Sequence, residues 1–149
     1  MEVQAPAAIK IIPTGKSLTD AVTMLKWVAA ASDQVRRIGF TMGGEGATSR
    51  ILGIAHGAPI TYASFGAPVA PGQVDIDLLL NRYKCMQKDT QTKLIALLGE
   101  KTEIDRYLEK HVGTSRPDSE VTLIGFEPGD RALLEQHQQA MKINDIHIL

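Results

Sequence analysis

The sequence predicts an α/β fold: three strand–helix units, a polar linker, then a smaller βαβαβ segment. Short apolar runs bounded by Gly and Pro recur along the chain, with stretches of helical spacing between them. Strands separated by helices need crossover connections, so their sheet is parallel. The composition, 44% hydrophobic and 22% charged over 149 residues, fits one ordinary globular domain or two small ones.

Each element has a local reason. Ala8 to Ile12 is an apolar strand that stops at Pro13. Ser17 caps the helix after it, and Asp20, three residues on, completes the capping pair. That helix runs to about Ala31 and puts Leu18, Val22, Leu25 and Val28 on one face. Arg37 to Met42 is the second strand, Gly43, Gly44 and Gly46 make its turn, and a helix carries Ser49, Ile51 and Leu52. Pro59 to Ala63 is the third strand, Gly66 to Gly72 a Pro/Gly loop, and Val74 to Tyr83 a helix. Residues 84–91 are polar and aperiodic, which marks a linker. Beyond it, Thr92 to Leu98, Glu120 to Phe126 and Asp145 to Leu149 are strands, with helices at Thr102 to His111 and Asp130 to Met141.

Charge and cysteine content exclude several classes. Sixteen basic and seventeen acidic residues leave a net charge of -1, without the clustered Lys and Arg that nucleic acid requires. No run approaches the ~20 apolar residues of a membrane span. Met1 to Ala8 lacks the basic-then-apolar order of a secretory signal. Cys85 is the only cysteine and has no internal disulfide partner, so a reducing, cytoplasmic setting is expected. It stands in a polar stretch and reads as a bystander rather than a catalytic thiol. His56 and His111 fall at helix ends, where they favour the dipole. His137 and His147 lack metal-ligand spacing, and HExxH, CxxC and GxSxG do not occur, so no metal site is expected.

Three places can carry chemistry. Lys10 interrupts the apolar strand Ala8 to Ile12. In a strand buried on both faces, an ammonium either reaches water at the strand end or gives up its proton. A neutral lysine amine attacks carbonyl carbons and forms a Schiff base. The second place is the glycine turn from Met42 to Gly46, whose backbone can approach a ligand, with Arg50 one helical turn on to clamp a carboxylate. An ordinary βα turn with a surface arginine reads the same way. The third is Ala67 to Gln73, either a stiff connector or a lid that brings Gln73 to a ligand hydroxyl.

Ile9-Lys10-Ile11, Met42-Gly43 with Ser49-Arg50-Ile51-Leu52-Gly53, Ile60-Thr61-Tyr62-Ala63-Ser64 and Ala70-Pro71-Gly72-Gln73 occur in that order. In series they resemble the C-terminal part of type I 3-dehydroquinate dehydratase. The resemblance implies a lyase of the shikimate pathway, which leads to aromatic amino acids. Such a lyase dehydrates 3-dehydroquinate to 3-dehydroshikimate through a lysine Schiff base, without metal or organic cofactor. It assigns Lys10 as the imine nucleophile, Arg50 as the carboxylate clamp, Gln73 as a loop contact to substrate and Met42 as pocket lining. It also implies a (β/α)8 barrel, of which residues 1–83 resemble strands six to eight. A complete barrel of this kind needs about 250 residues. The three units therefore read as a partial barrel, completed by oligomerisation or by the missing half in trans. Asp75 to Leu79 and Asp89 to Gly99 resemble the junction to shikimate dehydrogenase in fused enzymes, which would place residues 92–149 in a small second α/β segment.

The chain departs from the family pattern twice. The family's general acid/base histidine lies upstream of the imine lysine, and none of the nine residues before Lys10 is histidine. Many members carry a loop serine where this chain has Val69. A proton-transferring side chain typically contributes about 10²–10⁴-fold, so the first departure favours an incomplete enzyme. The alternative is a non-catalytic α/β remnant that binds a small carboxylate or a partner protein. A further alternative is a self-contained domain whose C-terminal strands extend the first three into one sheet.

Overall fold

A computed structural model describes residues 6–32, 34–44, 46–85, 93–112 and 121–149. Strand β1 (Ala8–Ile11) runs parallel to β2 (Arg36–Gly39), with Lys10 opposite Ile38. Helix α1 (Leu18–Ala29) crosses between them. The Asp20 carboxylate accepts the backbone N–H groups of Lys16 and Ser17 and the Ser17 hydroxyl, which seals the first turn of α1. Those bonds, the Lys16 amide first, hold the Asp20 carboxyl below its usual range. The predicted face of α1 is the observed one: Leu18, Val22, Leu25 and Val28 are all buried. Gly39 lets α1 close on β2, because a Cβ there would meet the Met24 sulfur and the Trp27 ring.

Helix α2 (Gly46–Leu52) follows β2, and a 3₁₀ turn at Ile54–His56 extends it. The third strand is shorter and later than expected. β3 is Ala63–Ser64, and it pairs in parallel with β4, Val74–Asp75. Val74 was expected at the start of a helix. Its helical stretch begins two residues later and widens into a π-helical turn at Leu78–Arg82. A strand needs a ladder partner, and local spacing around Val74 could not show that Ala63 supplies one.

The C-terminal stretch builds its own sheet. β5 (Lys93–Leu98) lies between β6 (Val121–Phe126) and β7 (Ile143–Ile148), all parallel. Helix α3 (Lys101–Val112) and helix α4 (Arg131–His137) make the crossovers. Helix α4 ends before the expected Met141, because residues 138–142 turn back into β7. The expectation that these strands extend the first sheet is not met: among the described residues there are three separate sheets, β1-β2, β3-β4 and β6-β5-β7. The reason lies in β5, which is buried on both faces. Leu94, Ala96 and Leu98 face one cluster, and Leu97 packs with Ile104 and Leu108 in another. A central strand of that kind gathers its own neighbours.

One hydrophobic cluster nevertheless joins the two stretches. It holds Leu18, Val22 and Leu25 of α1, Ile51 and Leu52 of α2, and Leu94, Leu98, Ile124, Phe126, Leu134 and Met141. Cys85 belongs to it, which corrects the polar surroundings expected for this thiol; its Sγ donates to the Ile51 carbonyl at 3.7 Å. Of the expected linker, residues 86–91 lie outside the described residues. No described helix is long and apolar enough to cross a membrane.

Candidate active site

The loops that follow β1, β2 and β3 converge through backbone contacts. Met42 donates its N–H to Pro13 at 2.8 Å and accepts from Gly15 at 2.9 Å, which carries the parallel pairing past the strand ends. Gly43 donates to Pro71 at 3.3 Å, so the loop before Gln73 docks on the loop after β2. Gly43 adopts φ 106° and Gly72 φ 72°, a region that L side chains enter only under strain. Ser49 sets the β2–α2 turn: its hydroxyl donates to the Gly46 carbonyl at 2.9 Å and accepts the Thr41 N–H at 2.9 Å.

Lys10 does not sit in the buried strand expected for it. All four residues of β1 are exposed, because β1 pairs with β2 on one side only among the described residues. Ile9 and Ile11 stay open to solvent as well. The Lys10 ammonium rests over the Tyr62 ring, with Nζ 4.2 Å from its centroid.

Arg50 is the opposite case. A surface arginine was one reading of its turn, yet it is only 2% exposed. Its guanidinium carbon lies 4.0 Å from the centroid of the Phe40 ring. Its Nε has no hydrogen-bond partner, and no ion pair compensates the charge among the described residues. Burial pulls this guanidinium below its usual pKa, and an arginine stays charged there all the same. Phe40 and Tyr62 touch, tilted at 50° with centroids 5.4 Å apart. The two cations therefore flank one aromatic pair. Thr61 fixes the outer side, its hydroxyl donating to the Arg50 carbonyl at 2.9 Å.

Met42 is half-buried at the mouth of the glycine turn. Gln73 braces its own loop: Oε1 accepts the N–H groups of Val69 and Ala70 at 2.9 and 3.2 Å, and Nε2 donates to Ala63 at 3.1 Å. Lys10 and Arg50 thus meet through the rings, while Met42 and Gln73 shape the surrounding loops. Sequence reasoning passes over Phe40, and it names Tyr62 and Ser49 within the serial motifs without giving them a role. Two aromatic residues near strand ends were the available signal, but their stacking is long-range. His56 lies away from this site. It is buried, with Nδ1 3.0 Å from the Leu52 carbonyl and Nε2 3.1 Å from Ala140. Among the described residues, no group of three His, Cys, Asp or Glu side chains is placed to hold a metal ion.

Chemically, a lone buried guanidinium is a carboxylate receptor, and an accessible amine nearby is a carbonyl nucleophile. The family model for type I 3-dehydroquinase matches residues 2–90. A 3-dehydroquinate dehydratase of Thermococcus gammatolerans is 40% identical over 79 residues, 53% of this chain and 35% of that protein. One of Methanocaldococcus jannaschii is 48% identical over 50 residues, 33% of this chain and 23% of that protein. The matched stretch thus spans about a third or less of these curated relatives. A solved dehydroquinate dehydratase and shikimate dehydrogenase of S. pombe is similar to 96% of this chain and 27% of its own, at 19% identity and a TM-score of 0.41.

Proposed function

Because the chain belongs to the type I 3-dehydroquinase family, we propose that it supplies the imine-forming half of a 3-dehydroquinate dehydratase site. Lys10 is the nucleophile, Arg50 binds the substrate carboxylate, and Met42 and Gln73 line and close the pocket. The observation that carries this reading is the buried Arg50 guanidinium, its Nε without a hydrogen-bond partner among the described residues, on the ring pair that also bears Lys10.

The steps balance without an external oxidant or reductant. The Lys10 amine adds to the substrate ketone, and the carbonyl oxygen leaves as water. The resulting iminium draws electrons from the neighbouring carbon, which loses a proton. The hydroxyl one carbon further on takes up a proton and departs as water, forming the double bond. Water then hydrolyses the imine and frees Lys10. The net change is loss of one water.

None of the nine residues given before Lys10 is histidine. In this reading the group that takes that proton lies elsewhere in the protein or on a partner. Residues 1–83 then act as a partial barrel in the cytoplasm. The exposed β1, with Ile9 and Ile11 open, supports a partner at that edge.

Borohydride reduction in the presence of 3-dehydroquinate, followed by peptide mass spectrometry, tests the proposal. A reduced adduct on Lys10, lost in Arg50→Met, is expected. Absence of any adduct on Lys10 favours a carboxylate-binding remnant. Turnover measured with and without a chain carrying the remaining strands separates a half-site from a complete one.

A further inference from the structure

We infer that β7 is a self-association edge, to which a second copy of this chain adds its own β7, antiparallel and centred on Ile146. This surface lies outside the imine reading and uses none of its residues. β7 pairs with β5 on one side, and among the described residues no strand lies on the other. An open edge of that kind offers unpaired N–H and C=O groups to another chain.

The backbone decides which groups face out. Leu149 donates its N–H to the Leu98 carbonyl at 3.0 Å, so that residue turns its N–H towards β5. Successive residues of an extended strand turn their polar groups to alternate sides. Asn144, Ile146 and Ile148 therefore direct theirs to the open edge. The Ile146 N–H donates instead to the carboxylate beside it, Asp145 Oδ1, at 2.9 Å. Such a local side-chain bond competes with a strand ladder and gives way to one.

The side chains decide the register. Asp145 and His147 stand beside Ile95 and Leu97 in the β5 ladder, and Leu97 packs under α3, so the two charged groups share that face of the sheet. Asp145 Oδ2 and His147 Nε2 lie 3.1 Å apart and open to solvent. A two-fold axis at Ile146 places Asp145 of each copy opposite His147 of the other. Those are the non-hydrogen-bonded positions, where Cα atoms approach to about 4.5 Å and side chains come closest. Moving the axis by one residue sets Asp145 against Asp145, or His147 against His147, so charge selects one register. On the other face, Ile146 meets Ile146 of the second copy, with Ile148 diagonal to it. Ile148 is 62% exposed in the single chain and is covered in the pair. Two three-stranded sheets thereby become one continuous sheet.

Sedimentation velocity of the full chain over a micromolar concentration series tests this. A monomer–dimer equilibrium is expected. Asp145→Lys sets a lysine against His147 of the second copy, and His147→Asp sets an aspartate against Asp145. Each variant alone should dimerise roughly tenfold more weakly than the parent, because the symmetry repeats the lost pair. Mixed in equal amounts, the two variants complement each other: the introduced lysine faces the introduced aspartate, and His147 faces Asp145. The mixture should regain the parent's affinity as a heterodimer, which native mass spectrometry separates from either homodimer by mass. A misfolded chain would not be rescued in this way.

Three outcomes overturn the proposal. The parent chain stays monomeric throughout the series. A dimer forms but neither substitution weakens it, which assigns it to another surface such as the β1 edge. Both variants weaken the dimer, but mixing them produces no heterodimer. None of these results bears on adduct formation at Lys10, so the imine reading stands or falls separately.

Discussion

Gly72 lies so close to Gly43 that a Cβ at position 72 would overlap the Gly43 carbonyl oxygen. The contact joins the loop after β3 to the loop after β2, beside the Gly43 N–H bond to Pro71. Gly72→Ala forces both a left-handed alanine and a backbone clash. It should cost about 1–3 kcal/mol in urea unfolding. Lys10 labelling by 3-dehydroquinate should fall further than stability does. A fully stable Gly72→Ala variant would show that the two loops do not pack this way.

In the proposed reading, Arg50 gives up stability for binding. Among the described residues its buried Nε has no hydrogen-bond partner and its charge no ion pair, and replacing an uncompensated buried charge with an apolar chain of similar length is commonly neutral or stabilising. Arg50→Met should unfold at the same urea concentration as the parent or higher, while binding of 3-dehydroquinate by calorimetry is abolished. A loss above about 1 kcal/mol would mean that Arg50 is structural.

His56 makes stability depend on pH. Burial lowers its pKa first and the Lys142 charge lowers it further, against the raising effect of the carbonyls of Leu52 and Ala140. A neutral ring has one N–H, so it donates to one of these carbonyls at a time. The unfolded chain binds this proton near pH 6.5 and the folded chain only at lower pH. Stability attributable to His56 is therefore complete above about pH 6.5 and falls as pH drops below it. Urea midpoints at pH 7.5 and 5.5 should differ less in His56→Gln than in the parent. Equal differences would remove His56 as the cause.

The shared cluster predicts one cooperative unit. Leu25 of α1 and Leu98 of β5 are both buried within it. Leu25→Ala and Leu98→Ala should each destabilise a single calorimetric transition by about 2–5 kcal/mol. Two transitions, each shifted by only one substitution, would show that residues 1–83 and 92–149 unfold separately.

Gln73 acts through its loop. Gln73→Ala removes three hydrogen bonds that span Ala63, Val69 and Ala70. Limited proteolysis should then cut within residues 66–72 faster than in the parent, with the midpoint of global unfolding nearly unchanged. Unchanged cleavage would leave Gln73 free to contact ligand directly.

Much of this protein is written locally. The cap at Ser17 and Asp20, the apolar face of α1 and the apolar run of β5 depend on residues a few positions apart, so periodicity and side-chain chemistry determine them. The serial motifs around Lys10, Met42, Arg50 and Gln73 likewise carry the family resemblance without any coordinates. Contacts across distance were decided only by the tertiary structure. Val74 becomes a strand because Ala63 offers it a ladder, and β5 gathers its own sheet because both its faces are apolar. Lys10 lies exposed because β1 pairs on one side, whereas Arg50 is buried because α2 turns it onto Phe40. The family resemblance suggests a nucleophile and a clamp. Whether they face one another depends on two rings, at positions 40 and 62, that meet only once the chain has folded.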